Sequence, residues 1–271
     1  MKNFNKQVRW GIIGCGDVTE VKSGPAFQKA DHSSLIAVMR RNSRLAEDYA
    51  RRHHVPKWYD NAEDLINDKE VDAIYIATPP AFHKTYTLKA ASAKKPVYVE
   101  KPMGIHFDEC QTMLKACHSQ GVPLFVAYYR RALSKFKKIK EIIDEGLLGD
   151  IRLVNLQFYR PPLSKDYEHK SKQWWRTNPE ISGGGYFYDM ASHMIDLQFY
   201  FFGPMRMVQG SFSNLAGLYD VEDTVSAHFL FENGIHGTGT WCFASGANVD
   251  RTLILGSKGK LVYDTFGENP I

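Results

Sequence analysis

Along residues 8–128 short apolar runs alternate with amphipathic stretches. Val8 to Ile13, Leu35 to Met39, Val71 to Ala77, Val97 to Val99 and Leu124 to Tyr128 are apolar runs of strand length. With helical stretches between them, they predict a parallel sheet with helical crossovers. Asn42 or Ser43 is placed to cap a helix running towards His53. Asp60, with Glu63 three residues on, has the form of a capping box for a short helix through Ile66. Further helices are predicted from about His83 to Ala93 and from Phe107 to His118, the second stopped by Gly121 and Pro123.

Beyond Tyr128 the texture changes. Ser134 to Glu145 predicts one more helix, ended by Gly146. Ile151 to Tyr159, Met205 to Phe212, Thr224 to Phe231 and Ile235 to Phe243 read as long strands with antiparallel features. Asn233-Gly234 joins the last two and is a strong hairpin signal. Lys258-Gly259 marks a turn before Leu261 to Tyr263, and one long helix, from about Gly185 to Phe202, is stopped by Gly203-Pro204. The predicted organisation is a nucleotide-binding α/β half, residues 1–128, followed by an α+β half, residues 129–271.

Composition narrows the class. A chain of 271 residues accommodates about two domains at roughly 150 residues each. With 44% hydrophobic and 24% charged residues it has globular composition rather than that of a disordered chain. No apolar run approaches the roughly 18 residues a membrane span needs, and the first residues lack the form of a secretory signal. Cys15, Cys110, Cys117 and Cys242 contain no C-x-x-C pair, so a reducing, cytoplasmic setting is expected. Net charge is +4. Its densest run, Lys135, Lys137, Lys138 and Lys140, reads as the solvated face of a helix and not as a nucleic-acid patch.

Gly14-x-Gly16 follows the first strand and opens a helix, which suits close approach of a dinucleotide pyrophosphate. Asp17 and Val18 fall on the same loop, and Thr19 takes the third small position. After the second strand, where an acid would select NAD, the chain reads Arg40-Arg41, which favours the 2′-phosphate of NADP. Two further segments sit at strand ends: Thr78-Pro79-Pro80-Ala81-Phe82-His83 and Glu100-Lys101-Pro102. In the second half, Gly183-Gly184-Gly185 feeds a helix in which Asp189 and His193 are four apart and share a face, with Asp196 following. A carboxylate beside an imidazole suits a general base. Helix-dipole complementation with a packed histidine is the plainer alternative, and two metal ligands a third. Without other ligand spacing, no metal is expected.

Taken in order, these motifs resemble the Gfo/Idh/MocA oxidoreductases over essentially the whole chain. The resemblance runs from Trp10-Gly11-Ile12-Ile13-Gly14-Cys15-Gly16 through Thr78-Pro79 with His83 and Glu100-Lys101-Pro102-Met103. It continues through Gly149-Asp150-Ile151, the glycine-fed D-x-x-x-H-x-x-D helix and Gly256-Ser257-Lys258-Gly259. It implies a Rossmann domain followed by an open, mostly antiparallel sheet whose outer face pairs subunits into a homodimer or homotetramer. It places Gly14, Gly16, Asp17, Val18, Arg40, Arg41, Thr78, Pro79, His83, Glu100 and Lys101 on an NADP (alternatively NAD) cofactor. Lys101, Asp189 and His193 become the catalytic group, with either Lys101 or His193 as base, and a cis peptide is expected before Pro102. Tyr128, Arg130, Tyr159, Arg160, Trp174, Trp175 and Arg176 offer stacking faces and donors for a sugar, polyol or diol, although the tryptophans equally suit a core or an interface. Of these, Tyr128, Arg130, Tyr159 and Trp175, with Asp189 and His193, are taken as substrate-binding. Thr19 and Pro80 depart from the family pattern. Family members usually continue further, so a shortened second domain is expected. A cofactor-binding regulator without turnover is the competing class.

Overall fold

Six strands and five helices alternate through the first half of the chain. In order they are β1 (Val8–Ile13), α1 (Gly24–Lys29), β2 (Ser33–Met39), α2 (Ser43–Arg52), β3 (Lys57–Tyr59), α3 (Ala62–Asn67), β4 (Ala73–Ile76), α4 (His83–Ser92), β5 (Val97–Val99), α5 (Phe107–Gln120) and β6 (Leu124–Val126). The second half holds α6 (Ser134–Asp144), β7 (Ile151–Tyr159), α7 (Pro179–Ser182), α8 (Ser192–Phe202), β8 (Met205–Ser213), β9 (Thr224–Phe231), β10 (His236–Cys242), β11 (Val249–Gly256) and β12 (Lys260–Tyr263). This computed structural model describes residues 7–167 and 174–271. The chain divides into two units, Met1–Ala127 and Tyr128–Ile271.

The first unit is a parallel sheet in the order β3-β2-β1-β4-β5-β6. That is the strand order of a dinucleotide-binding fold, which reverses direction beside β1 and leaves a crevice at the strands' carboxyl ends. Side chains alternate between two cores. Ile13, Ile74, Ile76, Val97 and Val99 pack with Leu65 of α3, Ala90 of α4 and Cys117 of α5. Ile12, Val38 and Tyr75 pack on the other face with Tyr49 and Ala50 of α2 and Phe27 of α1. Burial on both faces explains why these strands read as continuous apolar runs.

Of two local expectations, one holds and one changes. Asn42 does cap α2, accepting from Leu45 N at 3.2 Å. For α3, however, the cap is Asn61 and not Asp60. Asn61 accepts from Glu63 N at 3.0 Å, and the Glu63 carboxylate pairs with Lys89 at 2.6 Å.

The second unit is a mixed sheet ordered β12-β11-β7-β10-β9-β8, antiparallel throughout except for the parallel pair β7–β10. Along β7, Val154, Leu156 and Phe158 are buried against Phe136 and Ile139 of α6 and Met194, Leu197 and Phe201 of α8. With a period of two, Leu153, Asn155, Gln157 and Tyr159 fall on the opposite face, where none of them is buried. The predicted hairpin at Asn233-Gly234 joins β9 to β10, with His236 paired to Leu230. The long helix expected from Gly185 is in two parts, a π-helical turn at Phe187–Ala191 and then α8.

Candidate active site

The first part of the site is the loop after β1. Gly14 has φ +92°, a conformation L side chains rarely adopt, and a Cβ there would meet Ala77 C and Thr78 N at 3.0 Å. Its amide and that of Cys15 donate to Met39 O at 2.9 and 3.2 Å, folding the loop over the end of β2. At Gly16 the space is open, the nearest atom to a Cβ being Gly14 O at 4.0 Å. That opening is where a pyrophosphate would approach the backbone, with Asp17 and Val18 leading into the helical turn Thr19–Ser23. Thr19 replaces the usual third small residue and is fully buried. Its hydroxyl donates to Gly16 O at 2.7 Å and its carbonyl accepts from Tyr49 at 2.8 Å, so the extra polar group is satisfied and fastens the loop. Burial pushes the Cys15 thiol up to about 11, which keeps it protonated and inert at neutral pH.

Arg40 and Arg41 lie beside this loop. Arg40 Nη1 donates to Cys15 O at 3.4 Å, and the Arg41 guanidinium lies over the Phe82 ring at 5.3 Å. The glycine loop, the basic pair and the Thr78–His83 segment therefore come together. Thr78 Oγ1 is buried with no hydrogen-bond partner, and its methyl would be the closest neighbour of a Cβ on Gly14, at 2.9 Å. An orphaned hydroxyl above an open glycine loop fits a site completed by a polar ligand such as a dinucleotide.

Glu100 accepts from Tyr75 OH at 2.5 Å and from Lys101 N at 3.1 Å, which anchors the turn that carries Lys101. The peptide between Lys101 and Pro102 is cis. His83 requires a correction. It was expected on the cofactor, but it is fully buried, with Nε2 2.7 Å from Thr78 O and Nδ1 3.0 Å from Pro102 O. Both ring nitrogens face backbone carbonyls, so His83 acts on the site only through these two loops.

The second unit, taken by itself, carries the acid–imidazole helix. Asp189 lies in the π-helical turn and accepts from Arg176 Nε at 3.1 Å, and the Arg176 guanidinium lies 4.3 Å from the Trp175 ring. Asp189, Arg176 and Trp175 thus form one cluster. The four-residue spacing that aligns side chains in an α-helix does not carry unchanged across a π turn, a local widening often found at functional sites. His193 opens the regular part of α8, is 5% exposed, and meets the rings of Tyr128, Tyr129 and Phe266 edge-on at 6.2, 5.7 and 6.0 Å. Asp196 is bound by Arg131, Nε to Oδ2 at 2.8 Å and Nη2 to Oδ1 at 2.5 Å, so it ties the segment after Tyr128 to α8.

Two expected substrate residues are placed differently. Arg130 donates to Thr265 O at 2.6 Å and stacks at 4.5 Å on Phe266, a bracing role behind the His193 rings. Tyr159 lies on the sheet face opposite α8, its hydroxyl 2.6 Å from Thr240 Oγ1, because strand alternation turns it away from Phe158 and the core. Arg160, one residue on, stacks on Tyr186 at 4.1 Å, and Lys165 covers Trp174 at 3.5 Å. Sequence reasoning missed Tyr129, Phe266 and Asp250. The Asp250 carboxylate accepts from Thr265 N at 2.9 Å and Phe266 N at 2.6 Å, holding Phe266 towards His193. Tyr129 had a signal in its adjacency to Tyr128; the other two join the site only through tertiary pairing.

Among the described residues no group of three or more His, Cys, Asp or Glu could hold a metal ion, and no helix is long and apolar enough to cross a membrane. Residues 8–128 match the family model described as an oxidoreductase family with an NAD-binding Rossmann fold. Residues 136–262 match that of the GFO/IDH/MocA C-terminal domain. The chain is 42% identical over 265 residues to an oxidoreductase of Formosa agariphila, covering 97% of this chain and 81% of that protein. It is 30% identical over 256 residues to the trans-1,2-dihydrobenzene-1,2-diol dehydrogenase of Mus musculus, covering 93% and 73%. The crystal structure of the WlbA dehydrogenase from Bordetella pertussis, in complex with NADH and UDP-GlcNAcA, superimposes with a TM-score of 0.85 at 26% identity, covering 95% of this chain and 74% of that one.

Proposed function

The chain belongs to the Gfo/Idh/MocA oxidoreductases, and from that premise we propose that it is an NADP-preferring dehydrogenase of a secondary alcohol, or reductase of its carbonyl, in a sugar, polyol or diol. The observation that carries this reading is the basic pair Arg40-Arg41 beside the open glycine loop, with a guanidinium in the place where an NAD site would set an acid. Two arginines present fork-shaped donors to a phosphate, and no carboxylate stands beside them in sequence before Glu47.

Bound nicotinamide supplies the hydride chemistry. The chain's own residues do the rest. Lys101, on a turn anchored through Glu100 to Tyr75, hydrogen-bonds the reacting oxygen and stabilises developing negative charge. His193 takes the hydroxyl proton in the oxidative direction and returns it in the reductive one. Its three aromatic neighbours exclude water around the imidazole. Asp189, held by Arg176, fixes the charge on the turn before His193. Trp175 gives a flat apolar face for the CH groups of a polyhydroxyl substrate, and the named activity of the diol dehydrogenase relative and the UDP-GlcNAcA bound in the WlbA dehydrogenase structure support that class.

We place the protein in a reducing cytoplasm, with Cys15, Cys110, Cys117 and Cys242 all free thiols. Subunits pair across the face of the second sheet that carries Leu153, Asn155, Gln157 and Tyr159, a broad surface of mostly uncharged residues.

A panel of sugars, polyols and diols, including trans-1,2-dihydrobenzene-1,2-diol, assayed with NADP and NADPH and then with NAD and NADH, tests the reading. Turnover on a panel member with NADP at least tenfold better in kcat/KM than NAD is expected. Tight NADPH binding with no turnover on any member would instead favour a cofactor-binding regulator, and tighter binding of NAD than NADP would remove the cofactor assignment.

A further inference from the structure

We propose that His83 is a positioning residue that sets the Lys101 turn against the Thr78–Pro79 loop, so that the place of Lys101 is fixed from the start of α4 as well as by β5. The proposal rests on the reading of Lys101 as the residue at the reacting oxygen. Three carbonyl oxygens converge on one fully buried ring: Thr78 O at 2.7 Å from Nε2, and Pro102 O and Met103 O at 3.0 and 3.3 Å from Nδ1. Two of these belong to the residues immediately after Lys101. The third belongs to the segment whose hydroxyl stands over the glycine loop.

The arrangement is not the one that stability alone selects. A carbonyl can only accept, and a neutral imidazole has one N–H to give. Whichever tautomer forms, a lone pair faces a carbonyl oxygen inside the protein, a buried conflict that calls for an explanation. Charging the ring would satisfy both sides, but the ring is buried at the N-terminal end of a helix, where a cation is disfavoured on both counts. Burial is the largest influence on it and holds its proton affinity below the ordinary imidazole range. The charged groups around it are Glu109, which pairs with Lys84 at 2.9 Å and accepts from Ile105 N at 3.3 Å, and Lys84 itself. An amide side chain in the same space, with two donors, would spare the lone-pair conflict, whereas an apolar one would leave the carbonyls without a donor. Retaining a rigid ring that spans two loops makes sense if the spacing between those loops is what matters.

Two variants of the full chain test this, His83→Leu, which fills the space without a polar atom, and His83→Gln, whose amide carries two donors and can reach two carbonyls. Three quantities are read: thermal midpoint, NADPH dissociation constant by fluorescence, and amide hydrogen exchange of the peptide covering residues 100–106. Turnover on the best compound of the panel above, beside Lys101→Ala, is the fourth. Expected for His83→Leu are a lowered midpoint, since the one N–H donated to a buried carbonyl is lost, NADPH affinity within threefold, exchange in residues 100–106 at least tenfold faster with the second unit unchanged, and kcat at least tenfold lower. His83→Gln should recover part of both exchange protection and kcat. Unchanged exchange in 100–106 overturns the proposal, whatever the activity. Loss of turnover in Lys101→Ala with wild-type kcat in His83→Leu also overturns it while sparing the Lys101 assignment. Full turnover in Lys101→Ala refutes that assignment, and the exchange measurement then still decides whether His83 holds the turn. A His83→Leu chain that fails to fold leaves the decision to His83→Gln, where protection equal to wild type with kcat restored is the supporting result and a kcat as low as Lys101→Ala the opposing one.

Discussion

The two glycines of the loop after β1 should respond to the same substitution in opposite ways. At Gly14 an alanine would occupy φ +92°, which costs about 1–2 kcal/mol for an L residue. Its methyl would also stand 3.0 Å from Ala77 C and Thr78 N, backbone atoms that cannot swing aside, adding on the order of 1–3 kcal/mol of overpacking. Gly14→Ala should therefore lose about 2–5 kcal/mol of stability, a large share of what a domain has. Gly16 is not among the positive-φ glycines, and its Cβ direction is open to 4.0 Å. Gly16→Ala should leave stability unchanged or raise it by up to about 1 kcal/mol, through the unfolded chain. Its methyl would instead stand where the pyrophosphate approaches, and a loss of about 1.4 kcal/mol or more, at least tenfold in affinity, is expected. Urea unfolding without cofactor measures the first quantity and fluorescence titration with NADPH the second. If Gly16→Ala unfolded as readily as Gly14→Ala, or bound NADPH as tightly as the wild type, the assignment of that opening to the cofactor would be wrong.

Other expectations follow from single contacts. Arg131→Met leaves the Asp196 carboxylate, 8% exposed, without its fork of donors; since Arg131 itself is 42% exposed, the loss in urea unfolding should be about 2–3 kcal/mol, with NADPH affinity unaltered. Phe266→Ala removes a ring that touches His193, Phe158 and Arg130, and should lower stability by about 2 kcal/mol and kcat at least fivefold. An equal kcat in that variant would show that the ring does not shape the His193 environment. Since the folded state depresses the proton affinity of His83, the unfolded state binds the extra proton first as pH falls. Stability should accordingly be fully present above about pH 6.5 and decline below it, a slope that urea titrations at pH 7.5, 6.5 and 5.5 should find shallower in His83→Gln. Leu253→Glu places a charge in the middle of the uncovered sheet face, next to Asn155, and light scattering should show a smaller particle if subunits pair there.

How far the sequence could be read depended on how local the determining interactions are. β1, β5, β7 and β9 coincide with their apolar runs, and Asn233-Gly234 marks its hairpin, because period and turn chemistry act over a few residues. β3 and β11 carry no such local signal. Lys57-Trp58-Tyr59 is too short to show a period, and Val249–Gly256 opens with Asp250 and Arg251, charges that look like loop until Asp250 is seen holding Thr265 and Phe266. The glycine loop and the Lys101 turn were legible because their chemistry demands particular residues at adjacent positions. The ring of aromatic residues around His193 was not, since Phe266 reaches it from 73 positions along the chain, counted as 266 − 193. The motif points to His83 but not to its backbone partners, because a motif records that a residue is needed and not which atoms it touches.

The parallel pairing of β7 with β10 bears on the order in which the second unit assembles. β9 and β10 meet across a tight turn, and β8 joins β9 through a short excursion, so a three-stranded meander can form from neighbouring segments. β7 has no such neighbour: Asn155 finds Thr238 across 83 residues. The loop-closure entropy for that contact must be met before it returns any stabilisation, so β7 should dock late, onto a meander that already exists. Substitutions that weaken the Asn233-Gly234 turn should then slow refolding of the unit, while changes in β7 of equal cost should chiefly hasten unfolding. Read as kinetics, the one parallel pair in an otherwise antiparallel sheet makes the hairpin the template and β7 the strand that closes it.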